Sequence, residues 1–297
     1  MSIESINVAF QIGLLYAIAA VAVMLAFRII GFPDLTPDGS FIFGSAVGAI
    51  ILLHGWSNFF AIPAAIFAGA CSGILTALLH TRLRISKLLS SILVMTMLYS
   101  VSLRTMSTSN LSLMDSQSFM SSIGSNINKF WSTTMIAVLV GLIIILVWMF
   151  LKTQLGLRLR AAGDSESALE QRGICREPLY IIGLAIANGL AGLAGLLISQ
   201  YQGFVDISMG TGLVIVCLAS IIIGETVLRP EKVSILLLTP IIGMVVYQCV
   251  IAIALQLGMS AADLKITTAI ITLAFVALDR LRVRTKKGSR QIGNRNI

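Results

Sequence analysis

The chain has 297 residues, 57% of them hydrophobic and 11% charged, with a formal net charge of +8. A soluble domain carries about 25% charge, so disorder, a secreted disulfide scaffold and a soluble enzyme are all disfavoured. The basic residues cluster in short segments between apolar runs, which is a membrane-topology pattern and not a nucleic-acid footprint. The composition therefore describes an all-α polytopic membrane protein with about nine spans of roughly 20 residues.

In chain order the apolar runs cover roughly 6–27, 38–54, 59–80, 88–107, 131–151, 179–199, 210–224, 233–256 and 263–278. Glu4 precedes the first run and Arg28 follows it, so it reads as a retained span with its N-terminus outside. Alternation from there puts Arg28, the 81–87 loop, the 152–178 loop, the 224–232 loop and the basic tail 279–297 in the cytoplasm. Those segments hold 18 of the 21 basic residues, and the other three are Arg104, Lys129 and Lys265.

The second run is short and follows a helix-breaking stretch, Gly31-Phe32-Pro33-Asp34-Leu35-Thr36-Pro37-Asp38-Gly39. The same skeleton, Gly-Phe-x-Asp-aliphatic-hydroxyl, returns 172 positions later in Gly203-Phe204-Val205-Asp206-Ile207-Ser208, ahead of the equally short run 210–224. Five spans separate the copies, so they face opposite sides and the repeat is inverted. Inverted halves with broken helices at matching positions are how many transporters build a central pathway. The expected arrangement is 4+1+4: a first repeat over about 6–107, a linking span 131–151, and a second repeat over about 179–278. Asp34, Asp38 and Asp206 at membrane depth either cap the broken helices or line a cavity. Arg104, near the outer end of its span, either snorkels to the interface or pairs with a substrate carboxylate or with Asp206. Phe119, Ile123, Ile127 and Phe130 recur at helical spacing within the Ser- and Asn-rich segment 105–130, which suggests an interfacial helix outside.

The 152–178 loop is the longest cytoplasmic segment. Asp164 reads there as an N-cap, Glu166 as a first-turn anion and Gly173 as a stop, giving about two turns of helix over 165–172. Such an element is either a docking helix or an ordinary connection. In the span that follows, Gly183, Ala187, Ala191 and Gly195 recur every fourth residue, a stripe that lets helix backbones approach closely. Asn188 beside the stripe either bonds a neighbouring helix or faces the pathway. The four cysteines and two histidines have no metal or disulfide spacing, and no phosphate loop or catalytic constellation is present.

Leu159-Arg160-Ala161-Ala162-Gly163-Asp164 with Gly173-Ile174, then Asn188-Gly189-Leu190-Ala191-Gly192-Leu193-Ala194-Gly195, Gln200-Tyr201-Gln202-Gly203-Phe204-Val205-Asp206 and Gly224-Glu225, resemble ABC importer permeases of the branched-chain amino acid and ribose type. With Phe32-Pro33-Asp34-Leu35 and Asp38-Gly39-Ser40, the likeness is greatest to a subgroup assigned to aromatic amino acids or unidentified substrates. Ser165-Glu166-Ser167 departs from the Asn-Pro-type start typical of the coupling helix. The resemblance implies a non-enzymatic permease without cofactor, residing in the bacterial inner membrane among its lipids. Its implied partners are a cytoplasmic ABC ATPase, an extracytoplasmic substrate-binding protein and a second permease copy. Ala162, Gly163, Asp164, Glu166, Ala168, Leu169, Arg172 and Gly173 would form the ATPase coupling segment. Asp34, Asp38, Gly39, Arg104, Asn188, Gln200 and Asp206 would lie on the translocation pathway. The alternatives are an ion-coupled secondary transporter, which also uses inverted repeats, and a lipid-modifying membrane enzyme, for which no polar catalytic cluster is visible.

Overall fold

The computed structural model describes residues 3–114, 129–164, 173, 175–230 and 232–259, together with 266, 269, 270 and 273. In order these form α1 (Ile3–Met24, continued by a π-helical turn Leu25–Ile29), α2 (Thr36–Leu53), α3 (Asn58–Thr81), α4 (Lys87–Met106) and β1 (Asn110–Ser112). Then come α5 (Lys129–Lys152), α6 (Gln154–Asp164), α7 (Glu177–Gln202), β2 (Phe204–Asp206), α8 (Leu213–Leu228), α9 (Val233–Leu236) and α10 (Thr239–Gln256). Seven segments are long and apolar enough to cross a membrane, α9 and α10 together making one, and α8 is a shorter apolar helix. Of the ninth run only Ile266, Ala269, Ile270 and Leu273 are described, and all four are helical. The protein is an all-α polytopic membrane protein, as the hydropathy requires.

The helices start and stop where the chain chemistry allows. Pro37, Pro178 and Pro240 sit in the first turns of α2, α7 and α10, where a missing N–H costs nothing. Gly31 and Gly203, at φ +68° and +80°, end the helices before each break in a left-handed conformation that a side chain would strain. The two copies of the repeated skeleton therefore share local geometry as well as sequence.

Packing follows the inverted repeat. The third helix of each half lies against the first helix of the other: α3 on α7, and α10 on α1. Within each half the second helix packs on the third, α2 on α3 and α8 on α10. The most apolar windows of α1 and α7 are 78% and 72% buried, against 22% for α5, so α1 and α7 form the centre and α5 stands at the edge. Polar ties hold α5 there. Gln11 Nε2 donates to Ser132 Oγ (3.0 Å) and Thr133 Oγ1 (2.6 Å), while Gln11 Oε1 accepts from Tyr201 Oη at 2.7 Å. At its other end Trp148 Nε1 donates to Ser234 Oγ at 2.9 Å, and Lys152 Nζ lies 3.5 Å from the Trp148 ring centroid.

The α3–α7 seam is made by small residues meeting backbone. A Cβ at Gly69 would collide with the Asn188 carbonyl oxygen, and one at Gly73 with that of Leu184. Lipid supplies no hydrophobic drive for helix association, so contact of this closeness is what holds the seam. Gly73→Val should lower the melting temperature of the purified protein, equivalent to about 1–3 kcal/mol of overpacking. An unchanged melting curve would mean that the seam opens without cost.

The structure adds two elements that the sequence reading did not contain. The loop after α5 carries a helix that the sequence reading did not expect, α6, which ends at Asp164. The cause is the apolar spacing of Gly156, Leu159 and Ala162, all buried, which continues helix directly from α5. The expected segment 165–172 lies outside the described residues, as does most of the 119–130 interfacial helix. The chain after α4 also forms a strand. β1 pairs antiparallel with β2 in the register Asn110↔Asp206, Leu111↔Val205 and Ser112↔Phe204.

Candidate functional site

Each break is organised by its own aspartate. Asp34 has no exposed surface, and its Oδ1 accepts from the Thr36 backbone N–H at 2.9 Å. Asp206 Oδ1 accepts from the Ser208 N–H at 2.7 Å and from the Ser208 hydroxyl. The Asp-x-Thr and Asp-x-Ser of the two repeats thus make the same side-chain-to-backbone turn, which gives the exposed peptide groups of a broken helix an internal partner.

Around the first break this becomes a buried network. Asn188 Nδ2 donates to Asp34 Oδ2 at 2.8 Å, and Asn188 Oδ1 accepts from Ser40 Oγ at 2.7 Å. Ser40 and Ser72 hydroxyls lie 2.9 Å apart, and those of Thr36 and Thr76 2.7 Å apart. Asp34 and Asn188 therefore face each other in the packed interior and tie α2, α3 and α7 together. Around the second break the strand after α4 supplies the partners. Leu113 N–H donates to Gly203 O at 2.8 Å, Ile207 N–H to Ser109 O at 3.0 Å, and Asn110 Nδ2 to Asp206 Oδ2 at 3.4 Å.

The two half-helices that follow the breaks start against each other, midway along the bundle. Tyr16, near the centre of the α1 span, stacks on Phe41 with ring centroids 6.0 Å apart, which places the start of α2 at mid-depth. There Asp38, in the first turn of α2, reaches across the repeats. Its Oδ2 accepts from Gly212 N–H at 3.0 Å and its Oδ1 from Val214 N–H at 2.7 Å, at the start of α8. A carboxylate thus sits on the positive end of a half-helix supplied by the other repeat. Gly39 beside it brings α2 onto α4, where a Cβ would stand 3.0 Å from Leu98 Cβ.

Outside this centre, α4 presents a buried face through Val94, Leu98, Ser102 and Met106. The outer half of its opposite face carries Thr96, Tyr99, Ser100 and Arg104, all exposed. Arg104 does not pair with Asp206, whose carboxylate is taken by Ser208 and Asn110. Among the described residues the one ion pair joins Arg28 at the end of α1 to Glu225 of α8, Nε–Oε1 2.9 Å and Nη2–Oε2 2.9 Å. Gln200 Nε2 donates to Asn58 Oδ1 at 2.9 Å, tying α7 to the start of α3.

Helix α6 lies directly on the first break. Leu159 and Ala162 are buried, and a Cβ at Gly163 would collide with the Ile29 carbonyl oxygen. Gly183 of α7 receives Ile30 and Leu159 in the same place. The expected coupling residues Ala162 and Gly163 are thus set against the membrane domain, and Asp164 faces water. Gly173 is exposed at φ +69°, and Glu166, Ala168, Leu169 and Arg172 lie outside the described residues.

Residues 6–278 match the family model described as "Branched-chain amino acid transport system / permease component". The chain belongs to this permease family. The permease is 38% identical over 274 residues to a tyrosine transport system permease protein of Clostridioides difficile, covering 92% of its own length and 91% of the relative's. It is 33% identical over 262 residues to an uncharacterized protein of Rickettsia prowazekii, covering 87% of this chain and 91% of that one. A shorter stretch of 94 residues, 32% of this chain and 25% of the relative, is 30% identical to an autoinducer 2 import system permease protein of Salmonella typhi. The permease is accordingly a transport subunit of an ABC transporter, and a multi-pass membrane protein.

An ion pair and a set of buried hydroxyls are among the features that sequence reasoning missed. The Arg28–Glu225 pair had a signal, opposite charges at the facing ends of two apolar runs. The Ser40, Ser72, Thr36 and Thr76 hydroxyls had none, since single hydroxyl residues are unremarkable in any membrane helix.

Proposed function

We propose that the permease carries an amino acid, tyrosine or a related aromatic one, into the cytoplasm by alternating access. In this reading two copies pair in the bacterial inner membrane with their N-termini outside. An extracytoplasmic binding protein delivers the solute, and a cytoplasmic ABC ATPase drives its release. The observation that carries the reading is the meeting of the two broken helices at mid-depth, where Asp38 of one repeat holds the half-helix start of the other. Such a junction joins the halves by hydrogen bonds that can be exchanged, while α1 and α7 stay packed. The tyrosine permease of C. difficile supports the choice of solute.

The exposed outer half of α4 supplies the pathway. Thr96, Tyr99, Ser100 and Arg104 would be costly against lipid and suit a water-filled space between two copies. Arg104 there pairs with the carboxylate of the passing amino acid. Asp38, Gly39 and Asp206 border the route, and Asp34, Asn188 and Gln200 hold its walls in position. Among the coupling residues, Ala162, Gly163 and Asp164 belong to α6; Glu166, Ala168, Leu169, Arg172 and Gly173 form the face met by the ATPase.

The experiment is reconstitution. The permease is purified, its co-purifying ATPase identified, and ATP-dependent uptake of labelled tyrosine measured in vesicles with the binding protein. Uptake that follows an ion gradient with no ATPase bound would replace this reading by a secondary transporter. Arg104→Gln should reduce uptake by about 10- to 100-fold, the loss of one charge-assisted contact, with ATPase binding unchanged. Full uptake by that variant would remove Arg104 from the pathway.

A further inference from the structure

Helix α8 is held at both ends by the first repeat. Asp38 caps its start, and in its last turn Glu225 takes the Arg28 guanidinium in a two-bond ion pair, both contacts 2.9 Å. A carboxylate in the last turn opposes the helix dipole, so Glu225 serves the pair and not α8 itself. The pair is open to water, the Arg28 side chain being 60% exposed and that of Glu225 22%. Arg28 lies in Leu25–Ile29, the only π-helical turn among the described residues, where Ile30 N–H donates to Leu25 O at 3.0 Å. Such turns bond across five residues instead of four, are uncommon, and occur frequently at functional sites. Moving that one bond to Ala26 O would make the turn α-helical and rotate Arg28 about the axis, off Glu225.

The second repeat has a plain version of the same end. Gln200 stands at the position of Arg28, 172 residues on and likewise three before a left-handed glycine. There α7 stays α-helical to Gln202 and closes with Gly203 N–H on Ser199 O at 2.9 Å. Gln200 is 4% exposed and donates to the neutral Asn58. The first end also carries α6. The Ile29 carbonyl oxygen, one residue from Arg28, lies where a Cβ on Gly163 would go.

We propose that the Arg28–Glu225 pair is a releasable latch on α8, and that the π-helical turn, moved by α6, sets it. With the turn as it stands, the first repeat grips α8 at both ends. When α6 shifts, Ile30 N–H passes to Ala26 O and Arg28 turns away. The last turn of α8 then loses its ionic hold while its start stays on Asp38. An exposed ion pair is weak and its ions regain water when it parts, so it suits a contact made and broken in each cycle. The buried Gln200–Asn58 bond would leave its groups in a dry site, so it suits a fixed tie. The push on α6 rests on the ATP-driven function proposed above; the latch is a property of this chain alone.

The test is amide hydrogen exchange on the purified permease, read in peptides covering 25–32 and 222–229. Arg28→Gln and Glu225→Gln should each speed exchange in both peptides by about 5-fold, the upper range for an exposed pair, and the two together no more than either alone. Wild type at about 1 M salt, where screening acts within roughly 3 Å, should behave like Arg28→Gln, and Arg28→Gln should not respond to salt. The deciding variant is Gly163→Ala. The three atoms nearest a Cβ there belong to Ile29 and Ile30, yet exchange at 222–229 should rise as it does in Arg28→Gln, with no further rise when the two are combined. If Gly163→Ala does not fold, Leu159→Ala, which unseats α6 by removing a side chain instead of adding one, takes its place. An unchanged 222–229 peptide in Arg28→Gln or in the α6 variant overturns the proposal, and so does an additive effect of the two. No solute or ATPase enters these measurements, so a failed uptake assay and a failed latch are read apart.

Discussion

Asp38→Ala should abolish ATP-driven uptake and lower the stability of the permease by about 2–4 kcal/mol, the cost of removing a charged acceptor from two backbone donors. The size of the effect follows from where the donors lie. Gly212 N–H and Val214 N–H begin α8 at mid-membrane depth, where water is not freely available to replace a lost acceptor. Asp38→Asn keeps one side-chain oxygen and loses the charge, so it should fall between wild type and alanine in both melting temperature and uptake. That order is what capping requires. Should asparagine prove as inactive as alanine while melting like wild type, the charge of Asp38 would act on the solute and not on α8.

The sequence revealed the breaks through proline, glycine and aspartate at membrane depth, and their pairing through one repeated skeleton. Composition alone carried the helical class, and the 18 cytoplasmic basic residues carried the proposed topology. It could not reveal that Asp38 serves the other repeat. A carboxylate preceding a helix caps its own helix in most sequences, and the choice between local and distant donors is made by tertiary packing. Asp34 and Asp206 follow the local rule; Asp38 does not. The seam at Gly69 and Gly73 was equally silent, because a glycine meeting a carbonyl leaves no hydrophobic period. The stripe Gly183, Ala187, Ala191 and Gly195 was legible only because it repeats. It meets different partners along its length: Ile30 and Leu159 at Gly183, and Phe41 O and Ser45 at Gly195. The helix over 154–164 was missed for a related reason. Arg158 and Arg160 interrupt its apolar pattern, and only the packed structure shows the burial of Leu159 and Ala162 on the first break.

That burial leads to the second large effect. Gly163→Val should leave ATP hydrolysis running while uptake falls by about 100-fold, the loss expected when a coupling of a few kcal/mol is removed. The reasoning is steric. The Ile29 carbonyl oxygen occupies the space where any Cβ on residue 163 would go, and Gly163 lies within van der Waals range of a Cβ built on Gly31. A valine must push α6 off the first break or turn it. Either movement separates the segment proposed to meet the ATPase from the π-helical turn Leu25–Ile29 and from α2 beyond it, whose first turn carries Asp38. A push on α6 would then no longer reach the mid-membrane junction. Gly163→Ala, with one methyl group to accommodate, should lose less than valine. The assay measures ATPase rate and uptake on the same reconstituted vesicles, with the melting temperature as the check on folding. Wild-type uptake in a folded Gly163→Val permease would mean that force passes through the Arg28–Glu225 pair or another contact, and α6 would be left as a brace for the break.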